Sequence, residues 1–82
     1  MAKVVLTASF AKQFAGGQTE HQVPGQTVRH LIRAMDARYP GIGERLQEDI
    51  AVAIDGEIHQ NAFLEKVKAD SEVCFIPAIQ GV

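Results

Sequence analysis

Cys74 is the one possible nucleophile in this chain, and Asp55 and Glu57 are two carboxylates that flank a turn. A cysteine becomes a good nucleophile when a nearby cation lowers the pKa of its thiol, and no basic residue adjoins Cys74 in sequence. We therefore interpret Cys74 as a small, half-buried strand residue, with catalysis as the alternative. The two carboxylates would need an enclosing pocket for acid–base work, and turn and edge positions explain them better.

The three histidines give no signal of a metal site. His21, His30 and His59 lack a ligand spacing such as HxxxH, and a single cysteine excludes an internal disulfide and a multi-cysteine zinc site. We expect the histidines to be exposed polar residues. The glycines of 41–43 follow a predicted helix rather than a strand, which does not fit a dinucleotide fingerprint. The sequence therefore predicts no metal, no bound cofactor and no catalytic residue.

The composition narrows the class of protein and the class of partner. The chain has 82 residues, of which 46% are hydrophobic and 22% charged, and this is typical of one folded globular domain. Its formal net charge of −2 argues against a generic attraction to nucleic acid or to an anionic membrane. No apolar run approaches the roughly 20 residues of a membrane span, and Thr7 and Ser9 interrupt any signal-peptide core. We expect a cytoplasmic protein that binds neither nucleic acid nor membrane.

The elements that must position these residues begin with a predicted pair of strands. The apolar residues of Lys3–Phe10 indicate the first strand, and Thr19–Val23 indicates a second, more polar one. Between them, residues 15–18 include two adjacent glycines, which favour a turn. The sequence therefore predicts an antiparallel hairpin.

A helix follows. Thr27 is well placed as its N-cap, and Pro40 predicts an end near residue 39 because proline disfavours helical geometry in the residue before it. The apolar residues recur at i, i+3, i+4 and i+7, as on one face of a helix. They are Val28, Leu31, Ile32 and Met35. We expect Arg29 and Arg33 to form a solvated face that Asp36 balances, with docking of an acidic partner surface as the alternative.

The second half of the chain predicts three short strands. Ile50–Ile54 is an apolar run typical of a buried strand, Asp55-Gly56 is a strong signal for a two-residue turn, and Glu57–His59 would be an edge strand. Phe63 and Leu64 are expected to fill the core below a loop.

The last predicted strand is Glu72–Ile76, with Val73 and Phe75 on one face and Cys74 and Ile76 on the other. The element order is then β-β-α-β-(β)-β, and one helix can bury its apolar stripe only against one face of a sheet. This α+β arrangement suggests a β-grasp, the fold of ubiquitin, with a mixed sheet of four to five strands. In that fold the first and last strands form a parallel pair in mid-sheet, so the C-terminus leaves from the centre.

We divide the chain into a β-grasp domain at 1–76 and an extended tail at 77–82. Pro77 withholds an amide and so ends the strand, and no side chain after it is charged. Residues 78–82 can span at most about 17 Å, at ~3.3–3.6 Å per residue. A thread of this kind can enter a channel of a partner protein and deliver one carboxyl group.

Four stretches, in order and at matching spacings, resemble one known family. They are 25–32 (GQTVRHLI), 38–42 (RYPGI), 52–57 (VAIDGE) and 70–77 (DSEVCFIP). Each stretch is weak alone, and together they are fairly specific. The chain resembles the MoaD/ThiS family of ubiquitin-like sulfur carriers, and within it the small subunit of molybdopterin synthase, because a Tyr-Pro pair follows the helix.

The resemblance implies a carrier and not an enzyme. In the family, an adenylyltransferase of the ubiquitin-activating type uses ATP to convert the terminal carboxylate into an acyl-adenylate, and a sulfur donor then makes a thiocarboxylate for molybdopterin or related cofactor biosynthesis. The tail that carries sulfur would be Gln80, Gly81 and Val82. A molybdopterin synthase large subunit would be a further partner, and the sheet face near the tail would be the recognition surface. Its candidate partner-binding residues are Phe10, Ile76, Pro77 and Ile79, with Phe14 as a further exposed anchor.

The last residue departs from the family pattern, which ends in Gly-Gly. Gly81 matches the first glycine, whereas Val82 places a stiff, β-branched side chain beside the carboxylate. Three explanations are open: Val82 is trimmed, the activating partner tolerates valine, or the chain has lost the carrier role. The third would make it a non-carrier β-grasp interaction module, which is the alternative function, because a fold does not fix a function.

Overall fold

The computed structural model describes residues 1–47, 50–59 and 64–77. Within these ranges the chain forms five strands and three helices. In chain order they are β1 (Ala2–Leu6), α1 (Ala8–Phe14), β2 (Glu20–Val23), α2 (Val28–Arg38), α3 (Ile42–Gln47), β3 (Ile50–Ile54), β4 (Glu57–His59) and β5 (Glu72–Pro77). The α+β class predicted from the sequence is confirmed.

The strands form one mixed sheet in the order β2-β1-β5-β3-β4. β1 and β5 are parallel neighbours in its middle, with Val4 beside Val73 and Leu6 beside Phe75. The other neighbouring strands are antiparallel. The predicted parallel pair is therefore confirmed, and β5 carries the chain to Pro77 from the centre of the sheet.

The segment after β1 differs from the prediction, because the strand ends at Leu6 and the chain then turns into α1. The Thr7 hydroxyl accepts a hydrogen bond from the Phe10 amide at 3.4 Å and so caps the new helix. Phe10 and Ala11 are buried and Phe14 packs against the core, which is helical spacing. β1 and β2 do pair antiparallel, as predicted, but a helix connects them where a tight hairpin was expected.

Helix α2 begins and ends as predicted. The Thr27 hydroxyl accepts from the His30 amide at 3.3 Å, Tyr39 is the C-cap, and all four residues of the apolar stripe are buried. Gly25 is required just before this helix, since its φ is +154° and a Cβ there would lie 2.9 Å from a methyl group of Leu31. None of the helices in the described ranges has the length and hydrophobicity to cross a membrane.

The strands β3 and β4 meet at Asp55-Gly56, where both residues have positive φ, as a two-residue hairpin turn requires. β4 is an edge strand, as predicted. The expectation for Leu64 is wrong, because its side chain is 77% exposed; Phe63 lies outside the described residues. Val67 closes this part of the core instead, since it is buried and its amide donates to the Gln26 carbonyl at 2.9 Å.

Candidate functional site

The start of β5 is fixed by a carboxylate, and its other end is Pro77, where the predicted tail begins. Asp55 accepts hydrogen bonds from the Ser71 hydroxyl and from the Glu72 amide, both at 3.0 Å. These two bonds, the amide first, lower the pKa of the Asp55 carboxyl below its usual value. Ser71 is buried, and its hydroxyl oxygen also accepts from the Lys68 amide at 2.8 Å. β5 is therefore anchored at the end opposite Pro77.

The two faces of β5 divide as the sequence predicts. Val73 and Phe75 are buried beneath the helices, Cys74 is half-buried and Ile76 is exposed on the other side. We name this other side of the sheet, away from α2, the open face. Strand register places apolar residues of four strands on it. They are Val5, Ala51, Ala53, Ile58, Cys74 and Ile76.

The open face is shallowest along β3, because the β3 side chains on this face are the small side chains of Ala51 and Ala53. β4 and β5 lie on either side of β3 and hence about 10 Å apart, because neighbouring strands are ~4.8 Å apart. Ile58 on β4 is 66% exposed and Ile76 on β5 is 40% exposed, so the alanine strip lies between two exposed isoleucines. Contiguous exposed apolar surface of this kind is typical of a protein–protein contact.

Charged side chains occupy the other end of the open face, where β5 starts. The Lys3 ammonium lies 3.3 Å from the Glu20 carboxylate and 3.9 Å from the Glu72 carboxylate. Exposed pairs of this kind contribute about 1 kcal/mol or less, so they matter more for the charge of the surface than for stability. The open face is thus apolar toward Pro77 and slightly acidic away from it.

The predicted anchors on this surface have different outcomes. Ile76 is exposed on the open face, as expected. The expected exposure of Phe10 is wrong, because the residue lies in α1 and is only 9% exposed, with its ring 4.8 Å from that of Phe14. Phe14 is half-buried and lies under the guanidinium of Arg45 at 5.5 Å, so it is not a free anchor either.

The remaining predicted site residues belong to the tail. Pro77 is the last residue of β5 and pairs with Ile50. The others lie outside the described residues, and their roles stay predictions. They are Ile79, Gln80, Gly81 and Val82.

The environment of Cys74 does not favour a nucleophile. Burial, and after it the nearby carboxylate of Glu72, raises the pKa of the Cys74 thiol, whose sulfur lies 3.7 Å from that carboxylate. A thiol with a raised pKa is protonated and unreactive at neutral pH. Among the residues that the structure describes, no group of three or more His, Cys, Asp or Glu side chains could hold a metal ion.

The expected exposure of His21 is wrong, because this residue is buried. It is 5% exposed, its Nε2 lies 2.7 Å from the Gln18 carbonyl oxygen, and its ring meets the Tyr39 ring edge-on at 5.6 Å. The hydrogen bond explains how an imidazole is accommodated there. Strand alternation could have found it, because His21 and Val23 share a face of β2.

The parallel β1–β5 pair in mid-sheet and the helix on one face define a β-grasp domain of the ubiquitin-like class. The chain belongs to the ThiS family, whose sequence profile matches residues 5–81 and leaves Val82 outside the match.

Comparison with individual proteins agrees with this assignment. The chain is 28% identical over 80 residues to the molybdopterin synthase sulfur carrier subunit of Pyrenophora tritici-repentis, covering 94% of this chain and 86% of that one. It superposes with a TM-score of 0.85 on a chain in the crystal structure of the Amycolatopsis orientalis BexX/CysO complex, at 23% identity and with full coverage of both chains. A putative molybdopterin converting factor subunit 1 from Pyrococcus furiosus gives a TM-score of 0.64 at 26% identity, with 95% of this chain and 97% of that chain covered. These likenesses confirm the predicted β-grasp.

Proposed function

We propose that this protein carries sulfur on its C-terminal carboxylate. ATP would convert the carboxylate into an acyl-adenylate with release of pyrophosphate. A sulfur donor would then displace AMP and leave a thiocarboxylate, and hydrolysis or transfer of that sulfur would restore the carboxylate. The observation that carries the proposal is the family match through Gly81. It is supported by the position of Pro77, where the tail leaves the central strand of the sheet.

The chain itself would not catalyse these steps. Cys74 has a raised thiol pKa, and the small carriers to which the chain is similar support a role as a substrate of other enzymes. The partner that activates the tail would be an adenylyltransferase of the ubiquitin-activating type, acting in the cytoplasm. Such a partner must reach both the tail and the surface beside its root, which is the apolar end of the open face.

The open face suits this partner because it offers apolar anchors next to the tail. We assign docking to Ile76 and Pro77, with Ile58 across the alanine strip as a further anchor, and entry into the partner's channel to Ile79 and the residues that follow it. Desolvated apolar anchors at the centre of an interface supply most of its binding energy. The tail of residues 78–82 would then extend no more than about 17 Å from Pro77 into the partner.

The similarity to a molybdopterin synthase sulfur carrier subunit supports molybdopterin biosynthesis as the pathway, with a synthase large subunit as the sulfur acceptor. The same family match favours the carrier over the alternative of a binding module that has lost the role. Gly81 would be the reactive residue if Val82 is removed, and Val82 would be if the partner accepts valine.

Intact-mass measurement on the chain recovered from its source cells tests the proposal. A species in which one terminal oxygen is exchanged for sulfur, ending at either Gly81 or Val82, is the expected result. Purified adenylyltransferase, ATP and a sulfide donor should produce the same species from the wild type, from a chain lacking Val82, or from both. If none of these chains forms an acyl-adenylate, and only unmodified full-length chain is found in cells, the carrier proposal is wrong.

A further inference from the structure

The four arginines of this chain all lie on α2 and α3, and they fall into two groups. Arg38 donates a hydrogen bond to the Gln22 carbonyl at 2.6 Å, and the guanidinium of Arg45 lies over the Phe14 ring. Arg29 and Arg33 are exposed, and neither forms an ion pair or hydrogen bond through its side chain within the described ranges. Two arginines therefore hold elements together, and the other two form no side-chain hydrogen bond or ion pair in the part of the chain that the structure describes.

The sequence predicts that Asp36 balances these two arginines, but among the described residues Asp36 forms no ion pair with either of them. Its Oδ1 accepts hydrogen bonds from the Gly41 amide at 3.1 Å and from the Gly43 amide at 2.9 Å. The contact is tight, because a Cβ built on Gly43 would lie 2.9 Å from the same oxygen. The carboxylate thus holds the connection between α2 and α3, and the guanidinium groups of Arg29 and Arg33 have no ion-pair partner among the residues that the structure describes.

Arg29, His30 and Arg33 form what we name the arginine ridge, on the outer side of α2. Arg29 and Arg33 are four residues apart, so their Cα atoms are separated by about 6 Å along the helix. The first turn of α2 contains no acidic residue, and cations there oppose the helix dipole. Arg29 therefore gains nothing from the helix dipole, and Arg33 lies beyond the first turn, so the dipole explains neither guanidinium group on this side.

We propose that the arginine ridge is a docking surface for an acidic segment of a partner protein. Guanidinium groups bind carboxylates through paired hydrogen bonds, and two of them one helical turn apart match carboxylates spaced i, i+4 on a partner helix. A protein partner fits better than nucleic acid, because the chain has a net charge of −2 and the ridge has no Phe, Tyr or Trp side chain for stacking. The ridge faces away from the open face, so a protein bound to the open face would leave it accessible.

The test uses the full chain and a synthetic probe, an alanine-rich helical peptide with glutamate pairs spaced i, i+4. In an NMR titration at low ionic strength, we expect saturable shifts of the Arg29, His30 and Arg33 signals. The peptide with glutamine in place of glutamate should produce none of them. Arg29→Gln/Arg33→Gln should weaken binding about tenfold, since each exposed charge pair contributes up to ~1 kcal/mol.

The matched control is Lys12→Gln/Lys66→Gln, which removes the same charge from two exposed lysines elsewhere and should keep the wild-type affinity. If both double variants lose affinity equally, binding follows net charge and the proposal is wrong. It is also wrong if an oligothymidine binds the ridge more tightly than the peptide. Sedimentation equilibrium tests whether the ridge binds a second copy of this chain instead. If the wild type self-associates and Arg29→Gln/Arg33→Gln abolishes that association, the partner is a second copy and the proposal is wrong. Circular dichroism shows whether the variants keep α2 folded. The NMR shifts of the wild type test the proposal even if a variant does not fold.

Discussion

The open face and the arginine ridge lie on opposite sides of the same small domain, and they offer a partner different kinds of interaction. The open face presents Ile58 and Ile76 around a strip of alanines, beside the root of the tail. The ridge presents two guanidinium groups and no apolar anchor. Apolar anchors that become fully desolvated determine affinity, whereas exposed charges mainly set the association rate and the choice of partner. We therefore expect the open face to control binding strength and the ridge to control selectivity.

Both surfaces are the outer sides of elements whose inner sides form the core. In β5 the alternation is strict, so the exposed Ile76 follows the buried Phe75 directly. In α2 the exposed Arg29 and Arg33 lie within one turn of the buried Leu31 and Ile32. The side chains on either surface can therefore be changed without touching the core, and this makes the comparison accessible to mutation.

Each element is also held in place by an aspartate that accepts two hydrogen bonds from elsewhere in the chain. Asp55 receives the Ser71 hydroxyl and the Glu72 amide at the start of β5, and Asp36 receives two loop amides beyond α2. Acidic residues that look available for pairing with a cation are thus engaged by neutral donors. Which acidic residues form ion pairs with neighbouring cations therefore cannot be inferred from spacing along one element alone.

The largest expected effect comes from the inner side of β5. Phe75→Ala should lower the free energy of unfolding by about 3–5 kcal/mol, because Phe75 is only 2% exposed and its loss leaves a cavity. Ile76→Ala, one residue further along, should change it by about 1 kcal/mol or less. Urea denaturation followed by circular dichroism measures both. Similar losses for the two variants would mean that the open face is part of the folded core and is not a free surface.

Ile76→Asp separates the two surfaces in binding. It should weaken binding of the adenylyltransferase about tenfold or more, because a charge would replace an apolar anchor that the partner desolvates. Arg33→Gln, on the opposite side, should leave that affinity unchanged. Isothermal titration calorimetry with both variants checks the pair. Unchanged binding by Ile76→Asp would remove the open face from the proposed interface, although the carrier chemistry could still hold.

The parts of the fold that the sequence predicted are those with a single consistent pattern. The apolar stripe of α2, its Thr27 cap, the Asp55-Gly56 turn and the two faces of β5 each follow from spacing alone. Helix α1 was missed because Ala8 and Phe10 extend the alternating apolar pattern of β1. The Thr7 cap and the helical recurrence at Phe10 and Phe14 are the signals that separate it.

The candidate site was less predictable, because it depends on long-range contacts. Ile76 could be placed by alternation within one strand, but the burial of Phe10 depends on a helix that folds back onto the core. The role of Asp36 depends on glycine amides five and seven residues further along, in a loop whose path the sequence does not specify. The open face combines four strands, and only their register shows that Ile58 and the alanines of β3 lie beside Cys74 and Ile76.

Asp55→Asn tests whether the charge of Asp55 helps to anchor the start of β5, through the pH dependence of stability. The folded-state pKa of Asp55 is lowered, so the unfolded chain takes up the proton first as the pH falls. Its contribution to stability is therefore complete above the ordinary carboxyl pKa of about 4 and is lost as the pH falls through the lower folded value. Asparagine keeps the acceptor oxygen and tolerates positive φ, so the turn should persist. The difference in unfolding midpoint between wild type and variant should be constant at neutral pH and shrink below about pH 4. A difference that persists in acid would assign the anchor to geometry and not to charge.

Cys74 provides the smallest effect and a direct reporter of which surface is occupied. Its thiol pKa is raised by burial and by Glu72, so iodoacetamide should alkylate it more slowly than a free cysteine, with a rate that still rises above the ordinary thiol pKa of about 8.5. Glu72→Gln should accelerate the reaction modestly, because it removes the second of these causes.

Bound adenylyltransferase should protect Cys74, which lies in the middle of the open face, whereas the glutamate peptide on the arginine ridge should leave the rate unchanged. Equal protection by both ligands would show that the two surfaces are not independent, and the comparison between them would fail.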